Sequence, residues 1–264
     1  MSSLATMSTG ALMASNYANK AQKELNNSIA RISSGKRAMY GQDPAGQGVA
    51  DSLKSNSRSW NVAARNAEDG ISAAQLVESS LMEIASLAQR LRELGIQADN
   101  ADVQSDADKT ALDAEAAAIY DAVDAIIEDT KFNGVDLLGF SVKSHAVAVA
   151  DDGGPIYLKT SNGFTSVSDY NVAAGAEVTA DIILSEVATD LGNVAAGMSA
   201  FKARQAVAYS ASANLAAAAS RIEDTDVALE SANLTRMSIL NQSAMAMVAQ
   251  ANKAAGAFLT IINS

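Results

Sequence analysis

The residues able to do covalent or metal chemistry are few and scattered. His145 is the single imidazole in 264 residues and there is no cysteine, which excludes multi-histidine metal sites, thiolate ligands, thiol nucleophiles and disulfides. Ser33-Ser34-Gly35-Lys36 carries the glycine and lysine of a phosphate-cradling loop but lacks the earlier glycine that such a loop needs. No G-x-S-x-G nucleophile elbow and no H-E-x-x-H pair occurs. Asp151-Asp152-Gly153-Gly154 lacks the spaced acids of a calcium loop and reads as an exposed turn. These residues predict no catalytic site, no cofactor and no metal, and His145 reads as strand surface.

Charge is better organised than chemistry. Residues 1–40 hold Lys20, Lys23, Arg31, Lys36 and Arg37 against Glu24, and residues 231–264 hold Arg236 and Lys253 with no acid. The whole chain nevertheless carries a net charge of -11, which argues against nucleic acid as a partner. Basic ends and an acidic middle must therefore face different surroundings or face one another. Arg31, Lys36 and Arg37 border one break in the pattern, and Glu223, Asp224 and Asp226 form a charged knot at another. Their opposite signs predict pairing within or between chains.

The elements that must position these charges are helices. Alanine supplies most of the apolar fraction, only five Phe and one Trp are present, and the two prolines, Pro44 and Pro155, leave nearly all of the chain free to be helical. Leu25, Ile29 and Ile32 mark one stripe of a helix that ends near Gly35. Gly41, Pro44, Gly46 and Gly48 then read as a break. Residues 48–99 follow as one helix of roughly 78 Å, with Trp60 as a packing anchor near its start. Its seam runs through Val77, Leu81, Ile84, Ala88 and Leu91.

A polar turn to Asp108 leads into a second rod, with Leu112, Ala116, Ile119, Val123 and Ile126, ending at Asn133-Gly134. Residues 139–180 alternate in short apolar pairs around two turns and predict one or two β-hairpins, the only β region expected. A third rod starts near 181, with Val187, Leu191, Val194, Met198 and Phe201 as its seam. Beyond the 221–226 knot, residues 229–264 form a last helix with Leu240, Met247 and Phe258 on broadly one side. The fold expected is mainly α: long antiparallel coiled-coil-like rods, a small β-hairpin region and paired terminal helices.

Residues 1–35 offer eight larger apolar side chains, too few to offset the entropy of ordering 35 backbones alone. The segment needs partners to fold. No stretch approaches the roughly 18 uninterrupted apolar residues of a membrane span, so no membrane insertion is expected. The N-terminus lacks the basic and apolar regions of a cleavable signal peptide, so an extracellular destination implies another export route.

Several segments resemble bacterial flagellin closely: LNNSIARISSGKR, DPAGQGVADSL, AARNAEDGISAAQLVESSLMEI, QRLRELGIQ, KFNGVDLL and SRIEDTDVALESANLTRMSILNQSAMAMVAQAN. The resemblance covers residues 1–138 and about 181–264. It implies a minimal flagellin, a structural subunit that polymerises into the extracellular filament used for swimming. On this pattern residues 1–35 line an inner tube, 36–47 are a spoke, 223–264 supply the C-terminal spoke and inner-tube helix, and 48–138 and 181–222 build an outer tube. Residues 139–180 then stand where larger flagellins carry surface domains.

The resemblance implies further partners: flagellar cap and hook-junction proteins, the type III export apparatus, and an export chaperone for the C-terminal segment. It also implies two readings for one patch. Gln89, Arg90 and Leu94, with Ala114-Glu115 on the next helix, resemble the surface recognised by the flagellin-sensing Toll-like receptor, although Gly95 replaces the family's usual Ala. The leading reading is that Arg90 and Glu93 mainly make subunit contacts. Two rival functions share parts of the pattern, a hook-filament junction protein of the same family and a helical receptor-binding or signalling module.

Overall fold

The alanine-rich, proline-poor sequence is helical over most of its length. The computed structural model describes residues 2–37, 43–165 and 173–262, with side chains described for 9–37, 43–100, 102–165 and 173–257. Its helices are α1 (Ser2–Ser34), α2 (Pro44–Ala98), α3 (Asp106–Asp129), α4 (Ala176–Glu223) and α5 (Val227–Ile262). The chain divides into two compact units, Ser55–Leu215 and the combination of Met1–Lys54 with Ala216–Ser264.

The Ser55–Leu215 unit holds the large apolar core. Val77, Leu81, Ile84, Ala88, Leu91 and Leu94 of α2 are all completely buried. Against them lie Leu112, Ala116, Ile119 and Val123 of α3 and Val187, Val194 and Phe201 of α4. Ile127 is the buried residue at the end of the α3 seam, while Ile126, expected there, is only partly buried. Ser105 caps α3 with a reciprocal Ser105/Asp108 box, which satisfies donors that a helix start leaves unpaired.

Two sequence expectations change in this unit. A second, very short hairpin, β1 (Lys131–Phe132) with β2 (Val135–Asp136), precedes the expected β region. Asn133 and Gly134 both take positive φ, at 50° and 78°, the conformation that a two-residue hairpin turn requires. The helix start near 181 moves to Ala176, because Ala173, Ala176 and Ala180 are buried and hold the earlier turn. Between these lies the larger hairpin, β3 (Val142–Ala148) antiparallel to β4 (Pro155–Asn162).

Asp190 of α4, 1% exposed, fixes the end of that hairpin. It accepts from the Asn162 backbone N–H at 2.9 Å and from Asn162 Nδ2 at 2.8 Å. Burial raises its carboxyl above the ordinary Asp range.

In the other unit, α1 and α5 pair antiparallel. Ser28 meets Glu230, and nearer the chain start Gln22 meets Asn241. Gly35, at φ +70°, ends α1 as a left-handed C-terminal residue. Helix α2 begins at Pro44 rather than 48, since proline suits a first helical position and Asp43 caps it by accepting from Gly46 N–H at 2.9 Å. Gly46 and Gly48 therefore lie inside a helix rather than in a linker, and a side chain on Gly46 would strike the Asp43 carboxylate. Gly41 lies outside the described residues. Helix α4 ends at Glu223 and α5 starts at Val227, so the break spans only three residues.

Candidate assembly surfaces

The α1/α5 pair buries small residues and shows large ones. Among the described residues Ala18, Ala21 and Ser28 are the buried α1 positions, and small side chains let two helices approach closely. Leu12 is 66% exposed, Met13 64% and Tyr17 69%. Of the predicted assembly residues, Leu25 and Ile32 are partly buried, whereas Ile29, Leu240 and Met247 are exposed. The Phe258 side chain lies outside the described residues. A paired helix that keeps its largest apolar groups in water presents an unpartnered surface.

The two breaks meet backbone to backbone. Arg37 N–H donates to the Glu223 carbonyl at 2.7 Å and Thr225 N–H to the Gly35 carbonyl at 2.9 Å, one antiparallel bridge between Lys36 and Asp224. Inside it the fully buried Glu223 carboxylate lies 2.5 Å from Lys36 Nζ and also pairs with Lys54 Nζ. Hydrogen bonds from Lys36 and Lys54 hold the Glu223 carboxyl below its ordinary range, and the same contact raises Lys36.

The predicted spoke charges separate on inspection. Lys36 and Glu223 come together. Arg31 instead reaches Glu230 at 3.3 Å, and Ser28 Oγ donates to the same carboxylate oxygen at 2.6 Å. Arg37 lies 3.4 Å from Asp43. Asp224 accepts from Ser220 Oγ, and Asp226 caps α5 by accepting from Ala228 N–H at 2.9 Å and Leu229 N–H at 3.1 Å. Sequence reasoning missed Lys54, which sits within an unbroken rod pattern with no local signal. Glu230 carried a weak one, a lone acid one turn beyond the Asp226 cap.

At the far stretch of α2, Arg90 bridges two helices. Its Nε donates to Glu115 Oε1 at 2.8 Å, Nη2 lies 2.6 Å from the same oxygen, and Nη1 donates to Glu93 at 3.0 Å. Gln89 and Ala114 are exposed beside it. Leu94 belongs to the core at 0% exposure and is unavailable to any partner at this surface. Gly95 is explained by packing, because a Cβ there would sit 2.4 Å from the Glu177 backbone nitrogen at the start of α4.

His145 is half-buried rather than on the open strand surface, and lines a hollow of about 540 Å³ with Asn66, Phe132 and Leu137. Burial and neighbouring Lys143 push its imidazole pKa down. Among the described residues no group of His, Asp and Glu is placed to hold a metal ion, and no helix is long and apolar enough to cross a membrane.

Residues 7–141 match the family model for the bacterial flagellin N-terminal helical region, and 179–261 that for the C-terminal helical region. The chain is 31% identical over 244 residues to a flagellin of Halalkalibacterium halodurans, covering 88% of this chain and 89% of the relative. It is 30% identical over 280 residues to the flagellar filament 30.7 kDa core protein of Treponema maltophilum, covering 95% and 98%. A flagellin of Bacillus subtilis is 31% identical over 266 residues, covering 84% and 88%. With both terminal helical regions matched, in the order the fold places them, the chain belongs to the bacterial flagellin family.

Proposed function

We propose that this chain is a structural subunit, not an enzyme, that polymerises into a bacterial flagellar filament and completes the packing of its terminal helices on neighbouring copies. The observation that carries this reading is the apolar surface left on α1 and α5: Leu12, Met13, Tyr17, Leu240 and Met247 are each at least 49% exposed. Leaving such groups in water forgoes about 1.5–3 kcal/mol apiece, and a neighbouring subunit recovers it. On this reading residues 1–35 line the inner tube, 36–47 cross between layers, 223–264 supply the C-terminal spoke and inner-tube helix, and 48–138 with 181–222 form the outer tube.

The same reading assigns the remaining partners. The subunit leaves the cell through the type III export apparatus, its C-terminal segment carried by an export chaperone, and joins the filament between hook-junction and cap proteins. The exposed Arg90-Glu115 bridge with Gln89 serves as a subunit contact and as a surface open to a flagellin-sensing Toll-like receptor.

Electron microscopy of purified protein seeded with filament fragments tests the reading, and long filaments are the expected product. Deleting 1–35 and 229–264 abolishes growth while the Ser55–Leu215 helices keep their circular dichroism. Short closed rings from the full chain, or filaments from the truncated one, would sink it.

A further inference from the structure

A groove lies along the first half of α2, within the Ser55–Leu215 unit. An open hollow of about 560 Å³ is lined by Arg58, Asn61, Val62, Arg65, Glu68 and Tyr209. Of the acids nearby, Glu68 is already engaged, Tyr209 Oη donating to it at 2.7 Å and Gln205 Nε2 at 2.8 Å, and Asp151, which lines an adjoining hollow with Arg58, makes no ion pair with it. Among the described residues neither guanidinium meets a carboxylate, and Arg65 reaches only the Asn61 carbonyl, at 3.5 Å. Arg58 and Arg65 therefore leave two positive charges on one groove of a chain whose net charge is -11. Val62, 50% exposed, lies between them.

The exposed face of α3 carries the complement. Ala111, Ala114, Ala118, Asp121, Ala125 and Glu128 are all exposed and follow one another at alternating steps of three and four residues, so they form one stripe. Asp121 and Glu128 have no side-chain partner among the described residues. Arg58-Val62-Arg65 and Asp121-Ala125-Glu128 share one spacing, so each pair of charges is about 10.5 Å apart along its helix. A small residue lies between the acids where a medium one lies between the arginines.

Within one chain the two triplets cannot meet. The end of α3 is pinned where Thr130 Oγ1 lies 3.1 Å from Ser80 Oγ, and about 22 Å of α2 separates Ser80 from Arg65. We propose that the groove at Arg58 and Arg65 receives the exposed α3 face of a second copy, Arg58 and Arg65 pairing with its Asp121 and Glu128. The contact joins unlike surfaces, so each copy keeps one free groove and one free α3 face, the geometry of an open polymer. The alanines let the helices approach, and each arginine forks onto a carboxylate. This inference rests on the filament reading and names one of its contacts.

Charge reversal tests it. In seeded elongation at low salt, Arg58→Glu/Arg65→Glu and Asp121→Arg/Glu128→Arg each slow growth by about tenfold or more, since like charges then face across the contact. The quadruple variant carrying both reversals restores the complementarity and grows within about threefold of wild type. Circular dichroism of each variant monitors the helices. Wild-type growth by either double variant, or a quadruple variant no faster than the doubles with its helices intact, overturns the proposal and assigns the groove to another occupant. Failure of the wild type to grow from seeds overturns the filament reading itself, a distinct result.

Discussion

Both units bury alanines, but among the described residues only one of them also buries large apolar side chains completely. Ser55–Leu215 hides Leu81, Ile84, Leu91, Tyr120 and Phe201 completely, while the unit built from the chain ends hides Ala18, Ala21, Ser28, Ala50, Ala219, Glu223 and Glu230. Of its larger apolar residues, Tyr17 at 69% and Met247 at 63% exposure stay outside, and Leu25 and Ile32 are only partly buried. A unit that buries large apolar groups holds itself together. One held by alanine contacts and ion pairs has specificity without much stability, and waits for neighbours to supply the rest.

The sharpest way to break that contrast is to hollow out the first unit. Phe201→Ala should cost about 3–5 kcal/mol of stability, read as a lower urea midpoint of the Ser55–Leu215 helices. A loss as small as that of a surface substitution would show that the unit does not depend on its own core. Next comes Glu223→Gln. The two lysines, each 40% exposed or more, can turn to water, so the expected cost is that of a charged hydrogen bond, about 2 kcal/mol, felt in the α1/α5 pairing. Faster amide exchange in residues 25–34 and 227–235, with the rods unaffected, is the result to look for.

Acid separates the units further, because their buried carboxylates shift in opposite directions. Glu223 lies below its ordinary value of 4.5, so its contribution is complete above that value and lost as pH falls through the lowered folded pKa. Lys36, raised above 10.5, loses its share only as pH rises past its folded value. Asp190 is raised by burial among neutral donors, so its contribution is full below the ordinary 3.8 and lost as pH rises. Acid below pH 4.5 should therefore loosen the terminal helices while the Asp190 clamp on the hairpin holds. The stability difference between wild type and Glu223→Gln should shrink from pH 7 to pH 3 in urea titrations of terminal helicity; a constant difference would count against the ion pair. The smallest effect is Met247→Ala, within about 0.5 kcal/mol in the free subunit, yet it should slow seeded growth.

Much of the fold was legible in the chain because its signals are local. The steps of three and four through Val77, Leu81, Ile84, Ala88 and Leu91 predict a buried seam, and those residues are buried. The β1/β2 hairpin was not read, because two-residue strands leave no periodicity and Asn133-Gly134 looks like a helix stop. The start at Pro44 is masked in the sequence because Gly46 and Gly48 carry the signal of a break, while the Asp43 cap that overrides it is a single residue. For the candidate surfaces, the basic and acidic sides of the breaks could be read from charge, but their partners could not. Lys36 finds Glu223, Arg31 finds Glu230, and Asp224 and Asp226 turn to local donors.

The sequence by itself determined the helices, the breaks between them, the absence of thiol or multi-histidine chemistry and the family likeness, since periodicity, turn residues and composition act over a few positions. Only the tertiary structure decided that Leu94 is core, that Lys54 completes the Glu223 knot, and that Arg58 and Arg65 are left without an acid. Those outcomes depend on which residues lie adjacent although far apart in the chain, where burial and charge compete in three dimensions and no local pattern records the winner.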